Sequence, residues 1–404
     1  MSDPHSHRSG PLWPAYLATF TFMLGQWASG VVVPLLVVSL GGSLAEAGLV
    51  AAIRFGLGAV FSLPFGAVAD AWGTRRTLLV AVSGNALVNL VPILAAATGS
   101  LTPVYAWAVL GGLTSSLFLP ANSAYVAGAA SPAGRGSAFG WLTLATHTGV
   151  ASGPAVGGFV WDHGGAVPAF LVSSGLGALA LVGPAFVAGS VRTRVDLRGL
   201  PAMVGRVAGD RAIVGCWVAA LGIGLPWGAV SGLFPLFGTS LGISAGSAGL
   251  LLGLQSIVNG ASRVPLGRLM DRHPVRPLVA AGTCIVYGGV TAVLGLQSGP
   301  LGIAAVFVVG IVALASTLMI VQVVISERAP AELRATGLGG YSTFLSAGLG
   351  IGPFVAGTTA GAGDFGIGFA SVGLLGCAAA LVAGLLLIGA RRTWARFEGE
   401  GAGR

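Results

Sequence analysis

The chain of 404 residues contains no lysine; all of its basic residues are arginines, and charged residues of both signs make up only 8% of it. So little charge excludes an ordinary water-facing surface, which needs charged side chains at roughly a quarter to a third of its positions. The missing lysine also excludes a Walker-type phosphate loop, whose Gly-x-x-x-x-Gly-Lys-Ser/Thr pattern places a lysine on the phosphates. Cysteine is scarce. Cys216, Cys284 and Cys377 stand singly inside apolar runs without CxxC or histidine spacing, which leaves neither a disulfide nor a metal framework. No acidic residue lies well inside an apolar run. No nucleophile with a base, and no paired carboxylates, share one depth there, so neither an enzyme site nor a cofactor set is expected.

What is present is 54% hydrophobic and unusually rich in glycine, with 68 of them. The apolar residues fall in continuous runs of about 20, the length of a helix that crosses a bilayer, whereas barrel strands would alternate over about 10. An all-α membrane protein follows. Hydropathy places twelve helices, at roughly 13–40, 47–69, 77–97, 104–129, 138–160, 167–190, 212–238, 246–269, 278–297, 301–325, 336–359 and 367–390. The longest polar connection, Val191 to Arg211, divides them into two sets of six, giving an N-terminal bundle (1–190), a linker (191–211) and a C-terminal bundle with a short tail (212–404).

Counting loops alternately tests this arrangement. The N-terminus, the loops at 70–76, 130–137, 191–211, 270–277 and 326–335, and the C-terminal tail fall on one side and hold every arginine except Arg54 and Arg263, which lie inside helices, and Arg268, in the last turn before the 270–277 loop. Positively charged loops stay in the cytoplasm, so both termini are expected there, with the chain in the inner or plasma membrane. The net charge of +8 is then a topological signal, and no nucleic-acid partner is expected. The opposite loops carry only Glu46, Asp162 and Asp364 as charges. The apolar run after the first ten residues lacks a small-residue cleavage site and reads as a retained first helix.

The second half of the chain repeats the first. Gly66-Ala-Val-Ala-Asp70-Ala-Trp-Gly73-Thr-Arg75-Arg76 returns half a chain later as Gly267-Arg-Leu-Met-Asp271-Arg-His-Pro-Val-Arg276. Arg135 after the fourth helix matches Arg334 after the tenth, and Gly153-Pro154 matches Gly352-Pro353. Two like-oriented sets of six imply a pseudo-twofold axis along the membrane normal, with a site between the halves near the midplane.

The first of these loops resembles the one between helices two and three of the major facilitator superfamily, of pattern Gly-x-Leu-Ala-Asp-x-x-Gly-Arg-Arg/Lys. Gly66, Asp70, Gly73, Arg75 and Arg76 match, with Val68 at the leucine position and Thr74 at the first basic one. With the twelve helices and the duplicated loop, the resemblance covers almost the whole chain. It implies a monomeric secondary transporter of small molecules in the bilayer. The loop then reads as a latch, its carboxylate accepting hydrogen bonds from a helix N-terminus and pairing with arginine; Gly66, Asp70, Gly73, Arg75, Arg76, Arg135, Gly267, Asp271, Arg276 and Arg334 are its candidate residues. The same charges would also serve as plain interface anchors.

Helix five carries Gly149-Val-Ala-Ser-Gly153-Pro154-Ala-Val-Gly157-Gly158, similar to the Gly-x-x-x-Gly-Pro-x-x-Gly-Gly element of the superfamily's drug/proton antiporters. That likeness implies export. In physical terms glycines four apart make a smooth groove for a neighbouring helix, and packing alone would also account for them. Helix four departs from the antiporters, with Ala108 where they carry an arginine.

Ionisable side chains at membrane depth are costly, which makes each a candidate. Arg54 could attract an anion, snorkel to headgroups or pair with Glu46. His147 could carry protons in place of the missing carboxylate, or serve as a neutral donor between helices. Arg263 lies four residues before Gly267 and reads as snorkelling to the cytoplasmic side. Gln255, Asn259 and Arg263 share one helix face, and Asn85 and Asn89 form a packing pair. Gln26, Trp27, Asn122 and Gln322 lie on helices that line the central cavity in the resembled superfamily. Amides, aromatics and apolar walls suit an amphipathic organic molecule. The leading expectation is a proton-coupled exporter of drugs or a native metabolite. An importer or facilitator of a small organic anion and a transport-inactive sensor or scaffold are the alternatives.

Overall fold

In the computed structural model the described residues are 11–131, 134–187, 200–272, 277–330, 333–361 and 363–401. Among them there are only helices and the turns that join them. The first half holds α1 (Trp13–Ser39), α2 (Leu44–Trp72), α3 (Thr74–Val88), α4 (Val91–Thr98), α5 (Thr102–Ala129), α6 (Arg135–Gly164), α7 (Ala166–Leu179) and α8 (Val182–Phe186). A short helix, α9 (Leu200–Ala208), follows. The second half holds α10 (Arg211–Ser240), α11 (Ala245–Arg272), α12 (Leu278–Ala292) with a 3-10 turn at Leu294–Leu296, α13 (Pro300–Arg328), α14 (Arg334–Ala360) and α15 (Phe365–Gly401). Taken as single broken spans, α3 with α4 and α7 with α8 complete the twelve membrane-length segments that the hydropathy predicts.

Nine of those segments are, among the described residues, long and apolar enough to cross a membrane by themselves. The other three are α6, α11 and α14, of 30, 28 and 27 residues. They have the length but are diluted by glycine, serine and threonine, because they are the segments that bring backbones together.

Proline and glycine mark the ends. Proline occupies the first turn of α1, α4, α5 and α13, where its missing N–H costs no hydrogen bond. Gly41 after α1 and Gly242 after α10 take φ of 83° and 77°, a duplicated turn that only glycine enters freely. Each is followed by a serine that opens the next helix. Ser43 and Glu46 form a reciprocal capping box on α2: the Ser43 N–H donates to Glu46 Oε2 at 2.8 Å, and the Glu46 N–H to Ser43 Oγ at 3.2 Å.

The molecule divides into two compact units. Unit 1 is Met1–Gly42, Val60–Val195 and Phe234–Ile257; unit 2 is Ser43–Ala59, Asp196–Leu233 and Val258–Arg404. The beginning of α2 thus belongs to unit 2, and the end of α10 with the beginning of α11 belongs to unit 1. In lipid, helices associate through close packing and hydrogen bonds rather than through exclusion of water. Unit 1 packs Phe22, Leu78, Val82, Phe118 and Val126 in its core, with the Phe22 and Phe118 rings stacked at 3.9 Å. Unit 2 packs Trp217, Ile223, Leu314, Val321, Ile325 and Leu387.

The polar linker contains structure that hydropathy does not reveal. Met203 and Val207 of α9 pack on the core of unit 2. Asp210 then caps α10 by accepting the Ala212 N–H at 2.7 Å and pairs with Arg328 at the end of α13, at 3.5 Å.

Candidate functional site

The arginine-rich loop after α2 is a tight turn at Gly73, buried at the start of α3 with φ of 85°. Arg75 and Arg76 are exposed, and Arg75 donates to the Ala185 carbonyl at 3.4 Å, at the C-terminal end of α8 where a cation is favoured. Arg135 and Arg334 are exposed on the first residues of α6 and α14. Gly267 lies on α11, 3.8 Å from Met319 Cε if a Cβ were added. Gly66 and Asp70 on α2 and Asp271 on α11 have helical backbone, and their side-chain surroundings lie outside what the structure describes. Arg276 lies outside the described residues.

The glycines of α6 each have a partner. A Cβ at Gly149 would meet the Phe20 carbonyl at 2.7 Å, one at Gly153 the Leu24 carbonyl at 2.8 Å, and one at Gly157 would collide with the Ala28 carbonyl. Phe20, Leu24 and Ala28 are themselves four apart, so α1 and α6 meet backbone to backbone along a continuous seam. The second half copies it. Gly348 and Gly352 of α14 face the carbonyls of Leu221 and Leu225 on α10, which stand where Phe20 and Leu24 stand in the first half.

The remaining glycine of the element, Gly158, turns to a different neighbour. Its Cβ would strike the Ala245 carbonyl at the start of α11, while Gly249 and Gly253 of α11 sit against the carbonyls of Pro154 and Ala151. All of these belong to unit 1. The pairing is secured at its end by Asp162, whose Oδ1 accepts the Ala245 N–H at 3.0 Å and whose Oδ2 accepts the Gly246 N–H at 2.8 Å. Ser244 Oγ takes the Ser247 N–H at 3.2 Å. The first three donors of α11 are therefore satisfied, two of them by a carboxylate on another helix. In unit 2 the start of α2 lies on α14 in the same manner, with Gly48 against Pro353 and Gly357 against Leu44. There the capping carboxylate is α2's own Glu46.

The polar residues at membrane depth separate into three kinds. Some bind helices together. Asn122, 2% exposed, donates its amide to Thr19 Oγ1 at 2.5 Å and so ties α5 to α1; Asn89 accepts from Trp107 Nε1 at 3.2 Å. Others are located by their burial. Gln26 and Trp27 are half-buried on α1, and the buried Gln26 Oε1 has no hydrogen-bond partner among the described residues. His147 is half-buried on α6, Gln255 is buried on α11, and Arg54 on α2 is only 7% exposed. The third kind forms two hydrogen-bonded pairs in unit 2. Arg263 donates through Nε to Asn259 Oδ1 at 3.3 Å, and Gln322 donates to the Tyr341 hydroxyl at 3.0 Å.

That bond corrects the snorkelling read from sequence. Asn259 is one turn farther from the arginine-rich end of α11, so the Arg263 guanidinium is drawn inward. Side chains on a helix lean toward its N-terminus, which for α11 is the same inward direction.

The profile of the Major Facilitator Superfamily matches this sequence over residues 15–353 and again over 216–402. The chain belongs to that superfamily. That superfamily is one of membrane secondary transporters of small molecules.

Among curated proteins, "Multidrug resistance protein 2" of Bacillus subtilis (strain 168) is 27% identical over 134 residues, 33% of this chain and 32% of that protein. The chain thus aligns with about a third of that relative's length. Among solved structures, an inward-facing, occupied bacterial homologue of the human lysosomal transporter Spinster superposes with a TM-score of 0.78 at 15% identity, covering 98% of this chain and 99% of that one. The peptide transporter POT in complex with sulfate gives the same TM-score, identity and coverage. The nucleoside transporter NupG gives 0.70 at 15% identity, covering 94% of this chain and 98% of that one. At such identities these superfamily neighbours share the fold with this chain and nothing narrower.

Asp162 and Tyr341 carry interactions that sequence reasoning missed. Asp162 read only as one of three charges on the arginine-poor side, although the duplicated Ser43-x-x-Glu46 and Ser244-x-x-Ser247 hinted that α11 lacks a carboxylate of its own.

Proposed function

We propose that this chain exports hydrophobic or amphipathic small molecules, a drug or a native metabolite, by alternating access. Protons are the coupling ion and His147 the candidate carrier, with both termini in the cytoplasm of a cell whose inner or plasma membrane holds the protein as a monomer. The two six-helix halves, 1–190 and 212–404, are the moving bodies, joined by the linker 191–211. The loops at Asp70 and Asp271, with Arg75, Arg76, Arg276, Arg135 and Arg334, latch their cytoplasmic side. Gln26, Trp27, Arg54, Gln255, Asn259 and Gln322 are candidates for cargo contact.

The observation that carries the direction of transport is the glycine element of α6. Gly149, Gly153 and Gly157 lie against the backbone of α1 and Gly158 against that of α11, so each position of the antiporter-like pattern has a contact that rejects a side chain. The name of the Bacillus subtilis relative supports the same reading.

The test is uptake of cationic, neutral and anionic dyes into everted vesicles. Accumulation that collapses with a protonophore is the expected result. Accumulation indifferent to the proton gradient, with competition confined to small anions that lack an apolar tail, would replace this reading with an anion importer or facilitator.

A further inference from the structure

We propose that the side chains of Asn85 and Asn89, at the break between α3 and α4, hold an ordered water molecule inside the membrane-spanning part of unit 1. Its occupancy does not depend on cargo, direction of transport or coupling ion.

The site begins with a helix that stops where the bilayer would have it continue. Along the span Thr74–Thr98, Asn85 stands eleven residues from one end and Asn89 nine from the other, about 16 and 14 Å at helical rise, so the break lies at membrane depth. Pro92, in the first turn of α4, has no N–H for the Val88 carbonyl. The Leu90 N–H bonds the Leu87 carbonyl at 3.0 Å, one residue short of its helical acceptor, Ala86. The Ala86 carbonyl takes the Ser174 hydroxyl of α7 instead, at 2.8 Å. Between these rearranged backbone groups stand two amides, Asn85 at 1% exposure and Asn89 at 0%. Asn89 Oδ1 accepts from Trp107 Nε1 of α5 at 3.2 Å. An indole nitrogen only donates, so this bond sets the Asn89 oxygen toward Trp107 and its Nδ2 away from it. Among the described residues, that Nδ2 and both Nδ2 and Oδ1 of Asn85 have no hydrogen-bond partner.

These groups select their ligand. Four residues apart on one helix, the two side chains start from Cβ atoms about 5–6 Å apart, a separation that one small molecule bridges. That molecule must accept from the two Nδ2 groups and donate to Asn85 Oδ1, and water does both. A metal cation would meet amide N–H groups it cannot bond, and an anion would leave Asn85 Oδ1 without a donor. Burial of both residues closes the site to anything larger. Polar groups that packing leaves over are where internal water resides, commonly with about three hydrogen bonds, and lipid offers such groups no substitute. Water set against an interrupted helical ladder is also one of the ordinary causes of a helix break, which ties the amide pair to the division of this span.

The experiment is pulsed radiolytic hydroxyl labelling of the full chain in nanodiscs with heavy-oxygen water, read by mass spectrometry. Radiolysis of a bound water oxidises the side chains beside it even where bulk solvent does not reach. Trp107, bonded to Asn89 and only 2% exposed, is the reporter. Trp217, 5% exposed with its indole on the Gly337 carbonyl at 2.9 Å, is the control. Trp107 is expected to label several-fold faster than Trp217, a comparison that needs no variant. Asn85→Leu, close in volume, should bring Trp107 down to the level of Trp217 and shorten the half-life of the purified protein on heating several-fold, because Asn89 Nδ2 then loses its acceptor. Labelling of Trp107 no faster than Trp217, or unchanged in Asn85→Leu, would overturn the site. A leucine variant that outlasts the wild type would overturn it as well, since the amide would have had no partner to lose. Label lost in sodium buffer but kept in choline buffer would give the position to a cation and overturn the water.

Discussion

Replacing Asp162 with alanine removes two hydrogen bonds from the first turn of α11, at 3.0 and 2.8 Å, together with the one negative charge at that helix's positive end. Hydrogen bonds to a charged acceptor contribute about 1.5–3 kcal/mol each when shielded. Asp162 itself is exposed, so water takes over part of its role, and about 1–2 kcal/mol in total is the better expectation, in line with losses at other helix N-caps. That energy corresponds to a rise of about 5- to 30-fold in the population of opened first turns. Hydrogen exchange followed by mass spectrometry reads the opening directly at residues 245–247, without requiring reversible unfolding of a large membrane protein. Asp162→Asn keeps one acceptor and should fall between wild type and alanine. Ser247→Glu in the alanine background gives α11 the capping box that α2 already has in Ser43 and Glu46; that box bonds the Ser244 and Ser247 N–H groups, so protection should rise at 247 while 245 and 246 stay open. Exchange at 245–247 that is the same in wild type and Asp162→Ala would refute the reasoning.

Gly157→Ala should cost about 1–3 kcal/mol by overpacking against the Ala28 carbonyl, seen as a shortened half-life of the purified protein on heating. Asp70→Asn should slow turnover several-fold with insertion and binding intact, and wild-type transport by that variant would remove the latch. His147→Ala should abolish proton-coupled flux but retain counterflow of cargo; full coupled flux would show that the proton travels elsewhere.

The spans were legible because the membrane imposes a simple rule, that every backbone group be satisfied within an apolar run of fixed length. The repeat was legible for a different reason, since Gly153-Pro154 and Gly352-Pro353 must fit the same seam twice. What hydropathy could not show are the features that depend on a second helix. The breaks at Asn89 and Leu90 and at Ala180 and Leu181, which split two spans, lie inside unbroken apolar sequence. The helix at Leu200–Ala208 sits within a segment whose arginines mark it as a polar linker. Arg263 was placed on the correct face of its helix but given the wrong direction, because nothing in its spacing reveals that Asn259 holds it from the interior side. Asn122, a cavity candidate by its position in helix four, gives its amide to Thr19 on α1.

The meeting of α6 with α11 has one further implication. Interlocked side chains must leave their rotamer wells before two helices can shift past one another, and such contacts behave as catches. Where Gly158, Gly249 and Gly253 lie directly on main chain there is little to unlatch. Among the described residues, the side-chain hydrogen bonds across that contact come from one carboxylate at its rim, Asp162.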